Sequence, residues 1–104
     1  MIANLTVLRT FVAVVECGSV VASARALGYS ASAVSRQMAW LQRRLGVTLF
    51  RPDGRSIRPT DEALKFLQPC RTLIEEVRRF ETYAASFPSL AQEPKVIKAN
   101  DWTT

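Results

Sequence analysis

Ser30, Ser32, Ser35 and Arg36 fall within seven residues, with Ala31 between them, Gln37 beside them and Arg43 two helical turns beyond Arg36. Hydroxyls can bond either base edges or phosphate oxygens, and arginine does the same with the guanine edge as its best base partner. A second group, Arg51, Arg55 and Arg58, flanks Pro52-Asp53-Gly54. Arginines around a tight turn can reach a nucleic-acid backbone or minor groove. The competing reading of those three is a solvated hairpin edge, where charge blocks aggregation. Catalytic chemistry finds no comparable grouping. The chain has no histidine, so the commonest general base and the third member of most triads are missing. Cys17 and Cys70 form no CxxC pair and no zinc-ligand set. Both are expected as small reduced core residues, with no metal, no cofactor and no enzyme activity.

The charge distribution points the same way. The 104 residues carry a net +5. Residues 1–60 hold eight arginines against Glu16 and Asp53, a balance of +6, whereas residues 61–104 come to −1. An excess confined to one half, and all of it arginine, favours a polyanionic partner. The length suits one compact domain. No apolar run approaches the roughly 20 residues of a membrane span. Phe11 to Val15 is too short for a signal peptide, so a cytoplasmic protein with no membrane partner is expected.

The elements that must hold these residues follow from periodicity and punctuation. Leu5, Leu8, Phe11, Val12 and Val15 recur at helical spacing, predicting a first helix from Leu5 to Glu16 between Asn4 and Gly18. Ser19 caps a short second helix with Val20, Ala24 and Leu27 inward, and Gly28-Tyr29-Ser30 turns the chain. Ser30 caps a third helix running to Leu45, with Val34, Met38, Leu41 and Leu45 facing the core and Ala31, Ser32, Ser35, Arg36, Ala39 and Arg43 outside. Ala22, Ala24 and Ala33 are small enough for two helix axes to cross closely. Residues 19–38 therefore read as a helix-turn-helix whose second helix can enter the major groove. Val47–Arg51 and Arg55–Arg58 are predicted to pair as a hairpin, and Thr60 caps a long fourth helix reaching Phe87, where Pro88 stops it. On that helix Phe66, Cys70, Leu73, Val77, Phe80, Ala84 and Phe87 alternate at spacings of four and three. This is a stripe suited to a partner helix, with its first part covered by the first helix. Pro69 inside it should kink the helix or cost a backbone bond.

Five stretches carry a resemblance. They are Leu8-Arg9-Thr10-Phe11-Val12-Ala13-Val14, Gly18-Ser19, Ser30 to Gln37, Leu45-Gly46-Val47-Thr48-Leu49-Phe50, and Gly54-Arg55-Ser56-Ile57-Arg58-Pro59-Thr60. Over residues 5–80 the chain resembles the N-terminal domain of LysR-type transcriptional regulators. The resemblance implies a mainly α winged helix-turn-helix, a three-helix core plus a two-stranded β wing, followed by a long linker helix used for dimerisation. The expected organisation is residues 1–60 as the DNA-binding domain and 61–87 as the linker helix. Residues 88–104 then form a linker with the start of a truncated effector domain, where Lys95–Ala99 can be a strand. Without that domain the chain alone should bind no small-molecule effector. The sequence departs from the family where Ala31 replaces a Gln that often reads bases, where Gln42 replaces Glu, and where Ala39 and Trp40 replace basic residues. Residues Pro59-Thr60-Asp61-Glu62-Ala63 replace Leu-Thr-Glu-Ala-Gly. Losing one bidentate base contact removes about 1–3 kcal/mol of discrimination, which either weakens binding or shifts weight to backbone contacts. The function expected is sequence-specific binding of double-stranded DNA by a homodimeric bacterial regulator. The alternative is a truncated partner that pairs with full-length relatives and modulates their DNA binding.

Overall fold

A computed structural model describes residues 4–88. Four helices and one hairpin follow in the order α1 (Leu5–Cys17), α2 (Val20–Leu27), α3 (Ala31–Leu45), β1 (Phe50–Asp53), β2 (Ser56–Pro59) and α4 (Asp61–Ala85). This is the expected three-helix core with a two-stranded wing and a long following helix. Each helix begins at a side-chain cap. Asn4, Ser19, Ser30 and Thr60 accept from the backbone N–H groups of Val7, Ala22, Ala33 and Ala63, each at 3.1 Å. Such a cap satisfies one of the orphan donors of the first turn. Gly28, at φ +78°, closes α2 in the left-handed region and lets the chain reverse into α3 within three residues.

The core lies where α1, α2 and α3 meet the start of α4. Phe11 and Val14 from α1, Val34, Met38 and Leu41 from α3, and Leu49 before the wing are buried together with Ala63 and Cys70 of α4. The Phe11 ring meets Phe50 at 5.9 Å between centroids, joining the core to the root of the wing. Two buried hydroxyls are satisfied locally, Thr10 on the Thr6 carbonyl at 3.0 Å and Ser23 on the Ser19 carbonyl at 2.6 Å. Ala24 is buried as expected at the α2 crossing, and Ser23 beside it is an unanticipated second small residue there.

Several expectations need correcting. The strands begin later than predicted, at Phe50 and Ser56 instead of Val47 and Arg55. For β1 the cause is competition for backbone groups. The N–H groups of Leu49 and Phe50 donate to the Gln42 side chain, and the Thr48 carbonyl accepts from the Thr60 hydroxyl. The turn is Gly54-Arg55, with Gly54 at φ +65° and Pro52 already inside β1 opposite Ile57. Leu45 is exposed at the last turn of α3, and Cys17, the last residue of α1, is exposed too. Ala31 is half-buried against the core and does not face outward. Helix α4 ends at Ala85, short of Phe87, where the Ser86 hydroxyl bonds the Tyr83 carbonyl at 2.6 Å. Pro69 lies inside α4 without ending it. The expected strand Lys95–Ala99 lies outside the described residues.

Candidate nucleic-acid interface

Helix α3 presents one polar face. Ser32, Ser35, Arg36 and Arg43 are exposed along it, and the two arginines are seven residues apart, two turns of one face. Ser30 plays a different part. Its hydroxyl oxygen holds the Ala33 N–H and lies 3.3 Å from the Ser32 hydroxyl, so it is committed to starting the helix. Gln37 is half-buried, and its Oε1 is buried with no hydrogen-bond partner among the described residues. Arg36, Gln37 and Arg43 border a groove of about 470 Å³ whose walls include Val7, Ala33 and Trp40. The Arg44 guanidinium lies 5.5 Å above the Trp40 ring, a cation–π contact at the C-terminal half of α3.

The wing stands beside this helix and carries the other arginines. Arg51 and Arg58 are paired across the two strands, and Arg55 sits in the two-residue loop. All three are exposed. Two residues that sequence reasoning did not assign to the site hold the wing in place. The Gln42 Oε1 accepts from Leu49 N at 2.8 Å and Phe50 N at 3.3 Å, tying the end of α3 to the root of β1. Thr60 donates its hydroxyl to the Thr48 carbonyl at 2.7 Å and its N–H to the Leu49 carbonyl at 2.9 Å while capping α4. The position of Gln42, just inside the end of α3, was the available signal. A side-chain carbonyl there can meet a chain returning along the helix.

Helix α4 divides along its length. Phe66 and Cys70 pack on the core, and burial pushes the Cys70 thiol above its ordinary pKa. An ion pair of 2.7 Å joins Arg71 to Glu16 of α1 just past that contact. Beyond it the apolar stripe is open. Leu73, Phe80 and Phe87 are 46, 69 and 43% exposed, and Tyr83 joins them at 66%, its ring edge-on to Phe87 at 5.1 Å. Val77 and Ala84 are half-buried. Among the described residues no helix is long and apolar enough to cross a membrane.

Comparison with known proteins places this arrangement. The family described as "bacterial regulatory helix-turn-helix protein, lysR family" matches residues 5–64. The HTH-type transcriptional regulator ClcR of Pseudomonas putida is 38% identical over 81 residues, covering 76% of this chain and 28% of that protein. The DNA-binding domain of CbnR in complex with DNA superposes with a TM-score of 0.76 at 31% identity, covering 81% of this chain and 97% of that one. The corresponding BenM domain on its catB site 1 DNA gives 0.78 at 29% identity, covering 88% and 99%. The chain spans about a quarter of the length of the curated relatives it matches.

Proposed function

The chain belongs to the lysR family of bacterial regulatory helix-turn-helix proteins, and from that premise we propose that it recognises specific double-stranded DNA sequences as a homodimeric transcriptional regulator. The observation that carries this reading is the exposed Ser32, Ser35, Arg36 and Arg43 face of a capped α3, with wing arginines that form no ion pair among the described residues. In this arrangement α3 enters the major groove, where Arg36 can address guanine and the two serines address base edges or phosphate. The wing lies along the backbone or the neighbouring minor groove. Related DNA-binding domains crystallised with DNA support the partner class. Gln37 is set apart from base reading, because its oxygen is buried.

Residues 61–87 are then the dimerisation helix for the DNA-binding unit at 1–60. The support is the row of exposed Leu73, Phe80, Tyr83 and Phe87, an apolar surface of the kind that marks a partner site. Pairing through it gives two α3 helices for two half-sites, about one helical turn of duplex apart or a multiple of it. The test is selection of bound sequences from a random duplex pool, with the solution mass of the free protein measured alongside. The reading expects an enriched motif with two related halves and a dimer mass. Recovery of unselected sequence at every salt concentration would overturn sequence specificity. On the selected duplex, Arg36→Ala should cost about 1–3 kcal/mol, roughly 5- to 150-fold in affinity.

A further inference from the structure

Arg51 and Arg58 stand directly opposite each other across the hairpin. Their side chains therefore leave the same face of the sheet, with Cβ atoms about 5 Å apart, and like charges so placed destabilise a strand pair. Asp53 shares their face by strand alternation, but no ion pair ties it to either arginine. Among the described residues the ion pairs join Arg71 to Glu16, Arg78 to Glu75 and Arg79 to Glu76, and none reaches the wing. Between the two arginines and the start of α4 lies a recess of about 450 Å³, bounded also by Pro59, Thr60, Asp61 and Glu62. Neither of those carboxylates closes on a guanidinium, so both forks stay open to an external anion. A solvated edge strand needs charge, but it does not need two like charges in register. An oxyanion with several outward oxygens can accept from both forks at once, and a phosphodiester is such a group.

We propose that Arg51 and Arg58 form a clamp on a single backbone phosphate of the duplex, and that the free protein carries their repulsion as a destabilisation which DNA relieves. The proposal rests on the DNA-binding reading above and assigns one contact class within it. The two forks act as a unit and leave base reading to α3.

Salt dependence of binding to a labelled duplex of mixed sequence counts the phosphates directly, since nonspecific affinity is set by them. Replacing both arginines, Arg51→Gln with Arg58→Gln, should lower the log–log salt slope by about 0.9 per bound protomer, the value for one phosphate. A fall of about 1.8, meaning two separate phosphates, or no change at all, would overturn the clamp. The free protein supplies a second reading. Either single variant should raise the melting temperature by about 1–5 °C, with no further gain in the double variant, because one removal already ends the repulsion. Lowered or additive melting temperatures contradict the stored repulsion. A wild-type chain that binds no duplex at low salt defeats the DNA reading itself. Binding with an unchanged slope in the double variant defeats only the clamp.

Discussion

Replacing Gln42 tests whether the wing is held by the recognition helix or merely follows it in sequence. In the folded protein the Gln42 Oε1 accepts from Leu49 N at 2.8 Å and Phe50 N at 3.3 Å. Leu49 is fully buried and Phe50 half-buried, so water replaces the first of these bonds poorly and the second in part. A buried donor left without a partner costs about 1–3 kcal/mol. Gln42→Ala should therefore lose roughly 2–3 kcal/mol in all, most of it at Leu49. For a domain of this size that lowers the melting temperature by roughly 8–20 °C, readable by circular dichroism. Gln42→Glu keeps the acceptor and adds charge, and charge-assisted bonds are about twice as strong. It should melt at or above the wild type at neutral pH. A carboxylate accepting two N–H bonds has a lowered pKa, so its advantage holds above the ordinary carboxylate range and disappears as pH falls through that lowered value. Melting of Gln42→Ala within about 2 °C of the wild type would refute the reasoning. So would a Gln42→Glu protein whose stability gain persists in acid.

Other contacts carry further expected outcomes. If the proposed dimer forms through α4, Phe80→Glu should give a monomer mass by sedimentation equilibrium while leaving the fold intact, because Phe80 is largely exposed; an unchanged mass would remove α4 as the seam. Thr60→Val should cost about 2 kcal/mol by deleting both the α4 cap and the hydrogen bond to Thr48. Its double mutant with Gln42→Ala should be non-additive, since both hold the same wing root. Alkylation of the native protein should modify exposed Cys17 well before buried Cys70, and equal rates would contradict the burial. Because burial raises the Cys70 pKa, its contribution to stability is complete below the ordinary thiol value and is lost as pH rises through the raised one.

The helices were legible because their boundaries are written in local chemistry. Asn4, Ser19, Ser30 and Thr60 each do at a helix start what a short polar side chain does best, and Gly28 supplies the left-handed turn. The serine–arginine face of α3 followed from the same periodicity. What the sequence hid depends on groups distant along the chain. Val47–Leu49 have strand composition, yet Gln42 and Thr60 capture their backbone groups, so pairing starts only at Phe50. Ser23 looks like a surface residue until its hydroxyl finds the Ser19 carbonyl. Gln37 looks like a groove-facing amide, yet its oxygen is buried in the folded protein. Cys17 has core chemistry but stands at the last position of α1, past the inward-facing Val14. Helical spacing alone also cannot tell where one stripe passes from its own core to open surface, which on α4 happens between Cys70 and Leu73.

The most direct test of α3 as the reading element is methylation interference on the selected duplex. Guanine N7 lies in the major groove, and a methyl group there obstructs a helix carrying Arg36. Interference should fall at guanine N7 in two patches, separated by about one helical turn or a multiple of it. Binding indifferent to N7 methylation, and blocked only by methylation of adenine N3 in the minor groove, would contradict it.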